Sequence, residues 1–168
     1  MAVIEGLNTI DGALNTLRTA GAPVAGVSAI QSVALTGTPT GGTFTLSYGG
    51  VTTTALAYNC AASDVLAALT ALPTIGAGNV TTAGGPEPGA AVTVTFAGAL
   101  AVKNVALFGA NGALLTGGTT PAVVITYATT GVDATFRGAS RGQMLQDTTN
   151  ATFYENTGNP GAPIWTAH

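Results

Sequence analysis

Alternation of apolar and polar residues, punctuated by glycine pairs, dominates the middle of this chain. Between Thr43 and Tyr48, the apolar residues Phe44 and Leu46 alternate with threonine and serine, and Gly49-Gly50 follows directly. A period of two residues is typical of a strand with one buried face, and a glycine pair between two such runs indicates a tight hairpin. The pattern therefore predicts a structure built mostly from short antiparallel strands.

The same kind of pattern predicts further strands along the chain. They are Ile30–Leu35, Val51–Tyr58, Val80–Ala83, Val92–Phe96, Val105–Phe108, Ala122–Tyr127, two strands flanking a turn at residues 148–151, and a last short strand at Ile164–Thr166. Glycine-rich turns are predicted between them. They are an exposed turn at Gly84–Gly89 and turns at Asn111-Gly112, Gly117-Gly118 and residues 158–163.

One helix is predicted within this strand-rich region, over Ser63–Leu72. Ser63 is a suitable N-cap, and Asp64 suits the positive end of the helix dipole. Pro73 would stop the helix, since proline cannot continue it. The apolar residues at helical spacing are Val65, Leu66, Leu69 and Leu72, and this face is expected to cover the sheet.

The first twenty residues carry an apolar stripe at helical spacing. Its members are Ile4, Leu7, Ile10, Leu14 and Leu17. Gly6 and Gly12 each weaken such a helix by about 1 kcal/mol relative to alanine, and a segment this short is marginal alone in water. The stripe is therefore expected to order against its own domain, against a partner, or against copies of itself. Residues 21–29 are predicted to form an extended linker.

These elements together predict a mostly β (α+β) fold. It comprises an N-terminal helical or extended arm over residues 1–29, a β-rich, antiparallel, sandwich-like module with one short helix over residues 30–131, and a C-terminal β-hairpin tail over residues 132–168.

Charged residues make up only 7% of the chain, against about 25% in typical soluble domains. No apolar run approaches the roughly 20 residues of a membrane-spanning helix, and no basic, then apolar, signal sequence is recognisable at the N-terminus. Four basic residues are too few for a nucleic-acid-binding surface. We infer that much of the surface is held against other protein subunits.

The residues that usually carry catalysis are scarce. The one histidine, His168, is the last residue, and Cys60 is the single cysteine, so neither a nucleophilic triad nor a zinc site is predicted. Cys60 fits a small buried apolar side chain better than a reactive thiol. A calcium site at Asp133, Asp147 and Glu155 has no supporting loop spacing. The glycine-rich loop at 84–89 precedes a strand, so it does not predict a phosphate site. We expect no catalytic residues, cofactor or metal.

Three large aromatic residues lie in the part of the tail from residue 142 onward: Phe153, Tyr154 and Trp165. Aromatic rings can stack on sugars, but packing in a core or at a subunit interface is the commoner use. An isolated hairpin is marginally stable in water. With the N-terminal stripe, these three residues are therefore the predicted subunit-contact candidates.

Residues 35–131 resemble a module found in bacteriophage structural proteins and in large bacterial surface proteins. The main matching stretches are Gly42–Leu46, Ala57–Asn59, Ala62–Val65, Ala68–Leu69, Ala71–Pro73, Ile75–Val80, Gly84–Pro86 and Val92–Leu100. The tail resembles a hairpin at the ends of phage head-fibre and tail-fibre proteins. Its matching residues are Gly142, Asp147, Thr148, Thr149, Asn150, Tyr154, Thr157, Gly158, Pro163 and Trp165.

The resemblance implies a non-enzymatic virion protein. The expected role is capsid decoration: binding of a symmetric oligomer, a homotrimer by resemblance, to the major capsid protein on the outer surface of a phage head, after synthesis in the bacterial cytoplasm. The alternatives are a tail or fibre component and a module that adheres to a host surface or glycan. Nucleic acid and membrane are not expected partners.

The N-terminal stripe leads to a testable prediction about attachment. Burial of each large apolar side chain stabilises a contact by about 1.5–3 kcal/mol, so deleting residues 1–20 should abolish binding to expanded empty capsids while the central module stays folded. Co-sedimentation with capsids measures binding, and circular dichroism measures folding. Equal decoration by the truncated chain would remove any role for the arm.

Overall fold

The computed structural model describes residues 17–19, 21–136 and 139–168. The elements in that part of the chain are β1 (Leu17–Thr19), β2 (Ile30–Thr36), β3 (Gly41–Tyr48), β4 (Val51–Thr52), β5 (Leu56–Ala57), α1 (Ala62–Thr70), β6 (Val80–Gly84), β7 (Val92–Phe96), β8 (Gly109–Thr116), β9 (Ala122–Thr129), β10 (Met144–Asp147), β11 (Thr152–Asn156) and β12 (Trp165–Ala167). A short 3₁₀ turn covers Gly98–Leu100. The fold is mostly β with one α-helix in the described residues, as the sequence predicts.

The chain divides into two compact units. The central unit spans residues 28–131, and the terminal unit joins residues from both ends, up to 27 and from 132 onward. In the central unit one antiparallel sheet has the strand order β6-β7-β2-β9. A second sheet places β3 between β8 and the short strands β4 and β5.

Side chains from both sheets and from α1 share one core in the central unit. Along β2 and β7 every second residue is buried, as the alternation in the sequence predicts. Val33, Val92 and Val94 are completely buried there, and Leu46 contributes from the second sheet. Three rings meet in this core: Tyr48, Phe96 and Phe108 have pairwise centroid distances of 5.4–5.9 Å, within the range of favourable aromatic pairs.

Two turns of the central unit are hydrogen-bonded to each other, and their close approach requires glycine. The turn after β2 and the turn after β8 are joined by hydrogen bonds from Thr119 N to Gly37 O (2.8 Å) and from Thr40 N to Thr116 O (3.0 Å). Gly118 has a positive φ of 64°, and a Cβ at this position would overlap the carbonyl oxygen of Gly37. Glycine is therefore required both for the backbone conformation and for the close approach.

Helix α1 begins one residue earlier than predicted and has a different cap. The extended residue before the helix is Ala61, not Ser63. Asp64, at the third helical position, accepts a hydrogen bond from Ala61 N at 2.9 Å, which satisfies a backbone donor that an N-cap side chain would leave free. The helix ends at Thr70, before Pro73. Val65 and Leu69 are completely buried, Leu72 is 4% exposed and Leu66 is half-buried, which confirms the predicted apolar face.

The prediction of a strand at Val105–Phe108 was wrong. This segment has no strand pairing, because the buried side chain of Gln31 binds its backbone. Gln31 Nε2 donates to Ala106 O at 2.8 Å, and Phe108 N donates to Gln31 Oε1 at 2.9 Å. A side-chain amide thus takes the place of a strand ladder.

The predicted turn at Asn111-Gly112 was also wrong, because both residues lie inside β8. The pairing of β8 with β3 shifts register between Thr43 and Thr45, and Asn111 Oδ1 accepts from Ala113 N at 2.9 Å. A hydrogen bond from a backbone N–H to an asparagine two residues earlier is typical of a turn, but here it forms at the register shift within the strand.

The predicted return strand Val51–Tyr58 is interrupted. Only β4 and β5 are strands, and Thr53 lies between them. Leu46 N donates to Thr53 Oγ1 at 3.0 Å, while Thr53 N donates to Leu46 O at 2.8 Å. The threonine side chain therefore continues the contact with β3 where the ladder stops.

In the terminal unit a four-stranded sheet has the order β1-β10-β11-β12. Leu17–Thr19 was predicted as the end of a helix, which was wrong: β1 is a strand that pairs in parallel with β10, with Leu17 beside Leu145. Its conformation depends on that partner strand from the other end of the chain. The hairpin β10–β11 and the last strand β12 confirm the predicted tail.

Asn156 connects the irregular segments of the terminal unit. It is completely buried. Its Nδ2 donates to Ala139 O at 2.7 Å, and its Oδ1 accepts from Gly158 N at 2.9 Å and from Ile164 N at 3.0 Å. One side chain thus satisfies backbone groups on both sides of β11 and orders the loops around the hairpin.

The burial of Leu69 gives a test of the central unit. Leu69→Ala should lower the free energy of unfolding by about 2–5 kcal/mol, because it leaves a cavity in the core. The matched control is Leu66→Ala on the same helix, where a half-buried side chain should cost less. Urea denaturation followed by circular dichroism measures both, and equal effects would show that α1 does not pack through Leu69.

Candidate interaction surfaces

Within the described residues, no group of three or more histidine, cysteine, aspartate or glutamate side chains could hold a metal ion. Among these residues there is also no helix long and apolar enough to cross a membrane. The positions of the individual candidate side chains are therefore more informative than any cluster.

His168 is better anchored than its terminal position predicts. Its backbone N donates to Phe153 O at 2.9 Å, and its Nε2 lies 3.2 Å from Glu155 Oε2. Both side chains are exposed, and polar contacts between exposed side chains contribute little to stability. The effect of this contact is to hold the C-terminus beside β11.

Cys60 is buried, which confirms its prediction as a small apolar side chain. Burial and, to a smaller extent, the nearby carboxyl groups of Glu87 and Asp64 together raise the pKa of the Cys60 thiol to about 11. The thiol is therefore protonated at neutral pH and is a poor nucleophile.

Glu87 lies in the loop that was predicted to be an exposed turn. The side chain is only 3% exposed, so for this residue the prediction was wrong. Leu35 N on β2 donates to Glu87 Oε2 at 3.1 Å, just past the point where β7 stops pairing with β2. Burial raises the pKa of Glu87, while the N–H groups of Leu35 and Val92 lower it in part. The carboxyl group thus serves as a hydrogen-bond acceptor for a strand end.

Asp147 is completely buried and has its oxygens taken by N–H donors. It accepts from Gly21 N at 2.9 Å, from Thr149 N at 2.8 Å, and from the backbone N (3.3 Å) and Nδ2 (2.8 Å) of Asn150. These bonds fix the β10–β11 turn and tie the N-terminal segment to it. A calcium ion would need the same oxygens, so this geometry gives no support to the calcium alternative.

The predicted aromatic contacts divide into two kinds. Trp165 is half-buried: its Nε1 donates to Thr135 O at 3.1 Å, and its ring meets Phe136 edge-on at 6.4 Å. Tyr154 is also half-buried, on the opposite side of β11 from Phe153. Phe153 is 42% exposed, and it is therefore the member of the set with the most surface free for a partner.

The N-terminal part of the predicted contact set is described only in part. Ile4, Leu7, Ile10 and Leu14 lie outside the described residues, and Leu17 is placed by its backbone in β1. The two most exposed large apolar residues in the described part of the chain were not predicted as contacts: Leu114 in β8 and Ile164 before β12 are 70% and 60% exposed. Leu114 and Leu115 are adjacent on β8, so their side chains point to opposite sides of the strand. Two adjacent leucines on a strand therefore indicate, from the sequence alone, that one of them lies on the side away from the core.

The sheet β6-β7-β2-β9 has a second side that points away from the core, here called the outer face. The register places on it Ile30, Ser32, Ala34 and Thr36 of β2, Thr81 and Ala83 of β6, Thr93 and Thr95 of β7, and Ala122, Val124 and Thr126 of β9. Each of these residues is exposed or half-buried, and none carries a charge.

Comparison with known proteins points to phages. No protein-family model matches the chain. A tail sheath protein of Mycobacterium phage Bxz1 is 38% identical over 118 residues, which are 70% of this chain and 19% of the sheath protein. A solved structure from Mycobacterium phage Patience covers 86% of this chain and 56% of its own, with 17% identity and a TM-score of 0.43.

The chain thus spans about a fifth of the sheath protein that it resembles. A matched stretch of 118 among 168 residues includes residues 51–118 wherever it begins. Helix α1 and strands β6, β7 and β8 therefore lie in the shared region. This similarity supports the expected relation to phage structural proteins.

Asp147 gives a pH test of the terminal unit. Burial raises its pKa, but the four hydrogen bonds outweigh burial, so the folded-state pKa lies below the ordinary value. The stability that Asp147 contributes is therefore present above the unfolded pKa of about 3.9 and is lost as pH falls through the folded pKa. Fluorescence of Trp165, the single tryptophan, should report unfolding of this unit in acid.

The matched variant is Asp147→Asn, which removes the buried carboxylate and keeps the size of the side chain. It should lower stability at pH 7 and flatten the acid limb. An unchanged acid limb in Asp147→Asn would contradict the role of this carboxylate.

Proposed function

We propose that this chain is a non-enzymatic structural component of a phage virion, carried on the tail. The similarity to a tail sheath protein is the observation that carries the proposal. It favours the tail alternative over capsid decoration. Because the chain spans only about a fifth of that protein, the proposal concerns the module that the two proteins share, not the other properties of a sheath.

The chemistry of the described residues is consistent with a structural role. Cys60 is buried and protonated, the carboxylate of Asp147 is occupied by backbone donors, and His168 is paired with Glu155. Between residues 28 and 131 only Asp64, Glu87 and Lys103 are charged. A surface so poor in charge suits permanent burial against other subunits better than free solution.

The proposed partners are virion proteins and further copies of this chain. Phe153 offers the exposed aromatic contact of the terminal unit, and the N-terminal stripe remains the second predicted contact. A homotrimer is the proposed oligomer, on the outer surface of the particle. Capsid decoration, with the major capsid protein as partner, is the alternative location; nucleic acid, membrane and glycan are not proposed partners.

Separation of heads and tails tests the location. Virions of the phage that encodes the chain are disrupted, heads and tails are separated on a density gradient, and the chain is quantified by mass spectrometry against the major protein of each fraction. We expect it in the tail fraction in many copies per particle. Recovery with heads would establish decoration instead, and absence from both fractions would overturn a virion role.

A further inference from the structure

We propose that Asp147 and the backbone N–H of Gly21 form an acid-sensitive latch for the N-terminal strand. In acid, β1 separates from β10 as a first step, while the rest of the terminal unit stays folded. The proposal concerns a movement within this unit. It goes beyond the proposed virion role, and it is independent of whether the chain is carried on the tail or on the head.

Asp147 lies at the end of β10, where two distant parts of the chain meet. Its Oδ1 accepts from Gly21 N at 2.9 Å, across 126 positions of sequence, and from Thr149 N at 2.8 Å. The bond from Thr149 and the two bonds from Asn150 are local to the β10–β11 turn. Of these four bonds, only the one from Gly21 reaches the N-terminal segment.

β1 depends on this bond because its strand pairing is small. It is three residues long and lies at the edge of the sheet, and in the described residues it pairs with β10 alone, in parallel. The pairing ends where Thr19 lies beside Asp147. A short edge strand with a parallel ladder gains little stability from its backbone bonds. The bond from Gly21 to Asp147 therefore fixes the strand at the point where its ladder stops.

The segment after Gly21 is held in a different way. Val24 N donates to Thr135 Oγ1 at 2.8 Å, and Thr135 N donates to Val24 O at 3.0 Å. Val27 forms a backbone bridge with Val132. None of these groups titrates, so acid leaves these bonds in place. The movement is therefore confined to the chain before Val24.

Protonation makes the Asp147 carboxyl group a poor match for its surroundings. All four of its hydrogen-bond partners are N–H donors, so an added O–H group meets no acceptor among them. The Asn150 amide can turn its own oxygen toward the proton, because an amide has an acceptor end as well as a donor end. The N–H of Gly21 has no such alternative.

The bond from Gly21 is the first to be lost for two reasons. A hydrogen bond to a carboxylate is about twice as strong as a neutral one, and protonation removes that assistance. The local bonds of the turn join residues that the chain already keeps together, whereas the Gly21 bond must hold a separate segment against its conformational entropy. Loss of this bond leaves β1 with its short ladder only.

The pH range of the latch follows from the same bonds. Burial raises the pKa of Asp147, but the bonds from Asn150, Thr149 and Gly21 outweigh burial, so the folded-state pKa lies below the ordinary value. The stability that the latch contributes is present above the unfolded pKa of about 3.9 and is lost as pH falls through the folded pKa. The latch is therefore closed at neutral pH and opens below about pH 4.

The other titratable groups on the neighbouring elements do not face Asp147 as charges. On β1, Arg18 is in register with the residue before Asp147. On β11, Thr152 lies opposite Asp147 and does not titrate. Tyr154 is on the same side of the sheet as Asp147, but a phenol stays uncharged in acid, and Glu155 is on the opposite side. Residues 21–24 and 148–151 contain no titratable side chain.

Gly21 offers a variant that weakens the latch without a change to the carboxylate. Its φ is 123°, a backbone conformation that other residues adopt only with strain. A Cβ at this position would have no atom within 4 Å, so Gly21→Ala introduces strain but no clash. The variant should therefore disfavour the closed segment through its backbone alone.

Hydrogen–deuterium exchange of the full chain, corrected for the pH dependence of intrinsic exchange, measures the release of β1. In acid, the amides of Leu17–Thr19 should lose protection by about tenfold, the loss expected from one charge-assisted hydrogen bond, at a pH where the fluorescence of Trp165 is still native. In Asp147→Asn and in Gly21→Ala, the same loss should be present at pH 7. The matched control is Glu155→Gln, which removes an accessible carboxylate of the same hairpin and should behave like the wild type.

Four results would each overturn the proposal. The β1 amides lack protection at pH 7 in the wild type, or they keep their protection in acid until Trp165 reports unfolding. Gly21→Ala retains wild-type protection of β1 at pH 7, a test that stays valid if Asp147→Asn unfolds the whole hairpin. Finally, Glu155→Gln releases β1 at pH 7, which would assign the latch to another carboxylate.

Discussion

The central unit depends on the position of β2 between two partner strands. β2 is paired with β7 on one side and β9 on the other. Its buried polar groups, whether side-chain or backbone, must therefore find hydrogen-bond partners inside the protein. Gln31 does so by binding the backbone at Ala106 and Phe108, and the N–H of Leu35 does so by donating to Glu87. In a chain with so few charges, these buried polar contacts fix the loop before β8 and the loop between β6 and β7.

This dependence explains what the sequence could and could not predict. The strands β2, β3, β7 and β9 and the buried face of α1 follow from local alternation and helical spacing, because one side of each element faces a core. The ordered loop before β8 and the strand β1 do not follow from local pattern. Their conformations are set by Gln31 and by β10, which lie far away in the sequence.

The same distinction applies to the surfaces. The tail aromatics are visible in the sequence, but only the structure shows that Trp165 is bonded to Thr135 while Phe153 is exposed. The outer face could not be found as one surface from the sequence, because its residues come from four strands that are separated in the chain. Pairing register alone brings Thr93, Ser32 and Thr126 together. A low charge content and an uncharged sheet face then fit one account, in which the chain functions inside a protein assembly.

The most direct test of that account is a cryo-electron microscopy map of the intact virion at a resolution that shows side chains. The account predicts density for the central unit on the tail, repeated along it, with Phe153 in contact with another subunit. A map in which the chain occurs nowhere on the particle, or in which Phe153 is open to solvent at every copy, would contradict it.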